Sequence, residues 1–355
     1  MKKLTLTAFL LLLAAQIEAQ PLISAHTDSL IREGIRLGID QAYPEALALF
    51  AQLAENQPEN PAGHFFCAAV LQTKMMDYED YGEEKAFLSH VHKTISLARA
   101  CLRRGQDKAW AYFFLGGAYG YLAFHQGKKQ RFIQAFENGR RSISFLQKAI
   151  ETDSTLYDAY FGIGTYKYYR SKFSRFFSWL PFVKDERAEG IQMIETALAR
   201  SRYSRTSALN GLCWILIDEQ KYEEAWSHIQ PVLQEFPRSR VFLWCGAKLA
   251  KKLQRWHTAA RYYERILATF RDEAVSSPYN EMVCRKNLSA LYLRLEDYGK
   301  ARQECRLLSE LRPGLPQDKA AKKAWKEARK VCQEVESSLV LGKAAEPGDA
   351  GSAQD

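Results

Sequence analysis

The chain has 355 residues, 47% of them hydrophobic and 26% charged, and a formal net charge of +9 at neutral pH. Its seven cysteines, an odd number with no CxxC among them, exclude a complete intramolecular disulfide framework. After the first stretch of residues, no segment is long and apolar enough to read as a membrane-spanning helix.

Lys2 and Lys3, an apolar run over residues 4–15 and the small-residue site Ile17-Glu18-Ala19 predict an export signal over residues 1–19. The apolar run of about 12 residues falls short of the roughly 20 that cross a bilayer. Gln20-Pro21 follows rather than a cysteine, which argues against a lipid anchor. The mature chain is therefore expected to be soluble and exported, in a bacterial periplasm or cell envelope, with its charge reduced to +8 by the loss of two lysines and one glutamate. Export argues against nucleic acid as the partner of this basic chain. Anionic lipid, cell-wall polymer or an acidic protein segment fit it better.

Asp28 is expected to open the first helix. From there, small residues recur in two series. Gly34, Ala68, Gly116, Gly164, Cys213, Ala247 and Ser289 form one, and Ala46, Thr94, Ser142, Gly190, Ala225, Ala259 and Ala301 the other. A small residue on each of two antiparallel helices lets the backbones approach closely, so the periodicity predicts stacked helical hairpins. The residues four and seven places after the second marker are apolar throughout, from Phe50 and Leu53 to Cys305 and Leu308, as on one face of an amphipathic helix. Pro58, Pro237 and Pro313 stand twelve residues after their markers and stop those helices. Tyr43, Tyr222, Trp256 and Tyr298 stand three residues before theirs.

This pattern resembles the tetratricopeptide repeat. The matching segments are YPEALALFAQLAENQP over 43–58, YEEAWSHIQPVLQEFP over 222–237 and YGKARQECRLLSELRP over 298–313, with Leu115-Gly116 and Tyr119 matching the first-helix part. The resemblance spans residues 28–314. It implies an all-α, right-handed α-solenoid of seven antiparallel hairpins, with a concave groove that binds a protein or peptide segment. No HExxH, GxSxG or Walker sequence accompanies it, and a non-enzymatic scaffold without cofactor or metal is the expectation. Residues 162–198 also resemble a tetratricopeptide family that includes eukaryotic inclusion-body-clearance proteins; no function is carried across from it.

The markers are 12 residues apart in four repeats and 26 in the central three. Shared between two helices, 14 extra residues would lengthen each by about 10 Å and raise a flank along one edge. That flank is aromatic and basic, most densely in YKYYRSKFSRFFSWLPFVK over 166–184. Tyr168, Arg170, Phe176, Phe177, Trp179 and Lys184 are its candidate partner-binding residues. The same residues could instead pack the three long hairpins together, or dock on an anionic membrane surface.

Other features carry less chemistry. Gly162 and Gly164 lack the third glycine and the βαβ setting of a dinucleotide site. His90 and His92 point apart on a helix and are expected to lie on the surface. Asn287-Leu288-Ser289 matches a glycosylation acceptor but falls at packing positions. The cysteines read as buried thiols, with Cys213 and Cys245 near enough to meet. The repeats divide into an N-terminal set over 28–204, with the three extended repeats, and a C-terminal set over 205–314; within the latter, eight extra residues between Phe270 and Met282, with Ser276-Ser277-Pro278, predict a loop and a break between two subarrays. Residues 317–340 form an amphipathic capping helix, with Ala321, Ala324, Trp325, Ala328, Val331, Cys332 and Val335 on its apolar face, and 341–355 a disordered tail.

Overall fold

A computed structural model describes residues 21–174, 184–311 and 319–345. Among these residues there are fifteen α-helices and no strand. Seven hairpins follow one another: α1 (Ala25–Ile39) with α2 (Tyr43–Asn56), α3 (Pro61–Tyr78) with α4 (Glu84–Arg103), α5 (Lys108–Lys128) with α6 (Phe132–Thr152), and α7 (Asp158–Ser174) with α8 (Arg187–Arg200). Then come α9 (Arg205–Asp218) with α10 (Tyr222–Glu235), α11 (Arg240–Lys252) with α12 (Trp256–Asp272), α13 (Pro278–Arg294) with α14 (Tyr298–Glu310), and the last helix α15 (Lys319–Ala345). Each helix packs on the next, and the first helices of the first six hairpins also touch in succession, making an inner layer.

The small-residue markers sit where the helices cross, and all are buried. A methyl group added to Gly34 would strike the Phe50 ring, and one added to Gly116 would strike Leu146. In the fourth hairpin the two backbones meet directly: an added Cβ on Gly164 would lie 2.5 Å from the Gly190 carbonyl oxygen, and one on Gly190 2.6 Å from that of Gly164. The Cys213 thiol lies 3.9 Å from the Ala225 carbonyl in the fifth.

The hairpin turns share one geometry that the sequence pattern does not announce. Gln41, Gln130, Gln220, Gln254 and Glu296 all take left-handed backbone angles, with φ between 58° and 62°. The following residue then returns its N–H to a carbonyl five residues back: Ala42 to Leu37, Arg131 to Gln126, Lys221 to Leu216, Arg255 to Ala250 and Asp297 to Tyr292, at 2.8–2.9 Å. This closes the helix end as a Schellman motif does, although the left-handed position is usually glycine. A side chain in that conformation costs about 1 kcal/mol or more, offset here by the satisfied carbonyl and the tight reversal.

The 14 extra residues of the central hairpins are not shared in one way. In the third hairpin, α5 continues twelve residues past Gly116 and α6 begins ten before Ser142, against five and three at Gly34 and Ala46 in the first. Both helices are thus lengthened equally, as expected. The fourth departs from that expectation, because α8 begins only three residues before Gly190, so its second helix gains nothing. The loop expected near Phe270 is present but short, because the eight extra residues go largely into helix. They lengthen α12 and α13, leaving a short link at 273–277, and Phe270 and Cys284 belong to one continuous core. There is no break at that point.

The array closes on itself. At the entry to α11, the wholly buried Arg240 donates through Nε and Nη2 to Asp77 on α3 at 2.6–2.9 Å, and to Glu273 at 2.7 Å. The Tyr43 hydroxyl donates to the same Asp77 (3.0 Å), and the Arg240 guanidinium lies 4.2 Å from the Phe270 ring centre. Asn280 donates to the Asp77 carbonyl (2.7 Å) and Ser277 to that of Tyr78 (2.9 Å). A second seam joins α1 to the turn after α8, where Asp28 accepts from Arg202 (2.7 Å) and Tyr203 (2.6 Å). Inside the N-terminal half, Phe65, Phe66, Phe113 and Phe114 pack into one aromatic core, in which Phe66 meets Tyr203.

The ends differ from expectation in detail. Ser24, not Asp28, caps the first helix, accepting from the Thr27 N–H. At the other end α15 packs on α13 and α14, where the first helix of another hairpin would lie, and it runs on to Ala345 past the expected end at 340. Ala321, Ala328 and Val335 are buried at seven-residue intervals. Cys305 and Cys332, both expected as thiols, form a disulfide that ties α14 to α15, with Cα atoms 5.5 Å apart. Cys67, Cys101, Cys213, Cys245 and Cys284 are buried free thiols, and a hydrogen bond with Cys213, then burial, pushes the Cys245 thiol well up.

A basic, aromatic cleft as candidate functional site

The first helices α9, α11 and α13 line a cleft of about 820 Å³. Its floor is aromatic: Trp214 on α9, Trp244 on α11, and Trp256 at the start of α12. Trp244 is held edge-on against Tyr263 with ring centres 6.0 Å apart. The end of α3 supplies the opposite wall through Met76 and Glu79, so the cleft has its full shape only because the array closes.

Four cations face it. Lys248, Lys251 and Lys252 come from the last two turns of α11 and Arg294 from the last turn of α13. Cations at a helix C-terminus are favoured by the partial negative charge of its free carbonyls. Lys248 lies 5.0 Å from the Trp214 ring centre and Arg294 5.0 Å from that of Trp256, so rings and charges are interleaved. Lys251 donates to the Asn287 side chain, which in turn donates to the Val283 carbonyl at 2.7 Å. Burial, followed by the charges of Lys286, Arg294, Lys252 and Lys248, holds the Lys251 ammonium below its ordinary pKa. Glu79 is the sole carboxylate among the lining residues. Positive charge gathered in a partly dehydrated cleft attracts an anionic ligand and gains when one enters.

A smaller hollow of about 230 Å³ shares Trp214 and Lys248 and extends the cleft to Tyr169 and Lys172 of α7. Lys172 pairs there with Asp218, whose pKa is lowered: burial opposes the shift, and hydrogen bonds from Lys172 and Tyr168 outweigh it.

The residues singled out from the sequence are dispersed. Tyr168 is no surface residue: its ring is fully buried and its hydroxyl donates to Asp218 (2.7 Å) and Glu219 (2.8 Å). Burial, then those two carboxylates, pushes its pKa up. Its place is structural, fixing α7 to the end of α9. Arg170 is half exposed, pairs with Glu186 and lies 5.5 Å from the Tyr166 ring centre. Lys184 is exposed. Phe176, Phe177 and Trp179 lie outside the described residues. The aromatics of the flank divide by repeat: Phe87 is buried against His125, while Phe132 and Phe136 are exposed. His90 is not a surface residue either. Its Nδ1 lies 3.0 Å from that of His64, whose pKa falls to about 4 through burial, then the charges of His90 and Lys93. Among the described residues no group of three or more His, Cys, Asp or Glu could hold a metal ion.

No protein-family model matches the chain, and no curated protein does. Solved structures do. A chain of the APC/C hetero-tetramer Cut9-Hcn1 is 16% identical and superposes with a TM-score of 0.53 over 92% of this chain and 55% of that one, about half its length. The chain has the tetratricopeptide-repeat fold. Similarity also extends to the C-terminal part of a TPR repeat-containing protein from Cytophaga hutchinsonii (18% identity, TM-score 0.42, 83% of this chain and 98% of that one). A thermophilic TPR protein of Thermus thermophilus is 16% identical (TM-score 0.38, 63% of this chain and 99% of that one). In tetratricopeptide terms the cleft lies on the first helices of repeats five to seven. Its tryptophans and lysines escaped the sequence reading because the repeat markers locate the buried seam between helices, not the inward face. Trp214 and Lys248 each stand one residue after their marker, which is the signal that would have found them.

Proposed function

We propose that this chain is an exported, non-enzymatic scaffold of the cell envelope that holds an acidic segment of a partner protein in the cleft of repeats five to seven. The carboxylates of that segment face Lys248, Lys251, Lys252 and Arg294, and its apolar side chains rest on Trp214 and Trp244. The observation that carries this reading is the imbalance of charge: four cations and one carboxylate around an aromatic floor. The site is preformed, so an extended segment docks without ordering the scaffold. The Cut9-Hcn1 hetero-tetramer is an assembly built with the same fold. The signal-like residues 1–19 and the Cys305–Cys332 disulfide support an oxidising compartment outside the cytosol.

Photo-crosslinking in the native cell tests this reading. A photoreactive amino acid in place of Trp244 is expected to capture a protein through an acidic peptide, and one at the exposed Glu195 of α8 is not. Identical adducts from both positions would remove the cleft as the binding site.

A further inference from the structure

A second surface is built differently from the cleft. At the tip of the α5–α6 hairpin, Phe132, Ile133 and Phe136 are 69%, 75% and 59% exposed. They lie in the first five residues of α6, within the seven-residue overhang that the short repeats lack. Three side chains this exposed form an apolar patch on the order of 400 Å². That is about half of what each partner contributes to a stable protein interface, roughly 800 Å².

The chain on either side of the patch is rich in cations. Lys128, Lys129, Arg131, Arg140 and Arg141 flank it against the single Glu137. Lys128 and Lys129 are engaged by Glu79 and Glu84 of the preceding hairpin, and Arg141 lies 5.7 Å from the Tyr119 ring centre. Arg131 and Arg140 are exposed and have no ion-pair partner among the described residues. No helix of the described residues is long and apolar enough to cross a membrane. A small projecting aromatic tip ringed by cations instead suits the headgroup region of an anionic bilayer, where rings enter the acyl boundary and arginines meet phosphate.

We infer that the α5–α6 tip docks the scaffold on an anionic lipid surface, leaving the cleft of repeats five to seven free for its protein segment. Co-sedimentation with phosphatidylcholine vesicles, with and without phosphatidylglycerol, tests this on the full mature chain. Wild type is expected to sediment with the anionic vesicles only. F132S/I133S/F136S is expected to lose about tenfold in partitioning, and R131E/R140E about fivefold for each charge removed. Circular dichroism should show both variants folded, since none of the five side chains is packed in the core. Absence of wild-type sedimentation, or equal sedimentation of wild type and F132S/I133S/F136S, would overturn the inference. So would a wild-type dimer in analytical ultracentrifugation that F132S/I133S/F136S converts to monomer, because the patch would then belong to a second copy of the chain.

Discussion

A methyl group on Gly190 would have to occupy space already held by the Gly164 carbonyl oxygen and the backbone of Tyr168. Flexible side chains can yield to such a clash, but two helix backbones cannot without moving apart. Gly190→Ala is therefore expected to destabilise by about 2–4 kcal/mol, somewhat beyond ordinary core overpacking. Gly38→Ala, whose methyl would meet only Val70 at 4.0 Å, should be neutral or slightly stabilising in its helix. Urea denaturation of both variants distinguishes a crossing point from an ordinary helical glycine. These positions were legible in the sequence because only size matters there, and size shows in composition. The Arg240 cluster was not. Asp77 and Arg240 are 163 residues apart, and nothing local to either marks it as a buried partner.

Asp28 shows the same at the surface of the fold. Its carboxyl falls to about 2; burial opposes this, and hydrogen bonds from Tyr203, Arg202 and Arg32 outweigh it. A depressed acid stabilises above its unfolded value near 3.8 and loses that contribution as pH falls through about 2. With both arginines substantially exposed, the contribution is about 1–2 kcal/mol after screening. Asp28→Asn is expected to be less stable than wild type by that amount at neutral pH, with the gap shrinking as pH falls below 3.8 and closing only below about pH 2. Parallel urea curves at neutral and acidic pH measure the gap.

Among the elements, the hairpin register came through clearly from the sequence, and the lengths of the helices less so. Equal insertions of 14 residues looked alike as spacing, yet α6 absorbs its share as two extra turns while α8 absorbs none. Marker spacing counts residues without saying whether they continue a helix. The capping helix was also legible, since its apolar stripe has a helical period. Its covalent tie to α14 was not, because Cys305 stands in a core column where a thiol would pack equally well. That disulfide closes a segment of 27 residues, which in the chain-entropy picture is worth about 3–4 kcal/mol. Cys332→Ser, or reduction of the wild type, is expected to raise amide exchange along α15 and α14 while leaving α1 to α6 unchanged. Unaltered exchange in α15 would show that packing alone holds the cap.

At the scale of the whole molecule, aromatic side chains inside the curve decide what the repeats can offer. Phe65, Phe66 and Phe113 join the core of the first four repeats, and the seam at Arg240 holds the first two repeats against the last two. The fold class followed from the repeat. The closure did not, because the pitch of a solenoid is set by small rotations between neighbours that side-chain bulk accumulates over several repeats. Closure also explains why the candidate site lies away from the aromatic stretch over 166–184. The cleft forms where the end of α3 meets the C-terminal repeats, and it is lined by Trp214, Trp244, Lys248 and Arg294.

Titration of tryptophan fluorescence with short synthetic peptides, acidic and neutral, is the most direct measurement of what that cleft holds. Acidic peptides bearing an aromatic residue are expected to bind wild type, to weaken as salt is raised, and to lose at least about tenfold in affinity with Lys248→Glu and Arg294→Glu combined. Equal binding by that variant, or a preference for single-stranded oligonucleotide over every acidic peptide, would contradict a cleft made for an acidic protein segment.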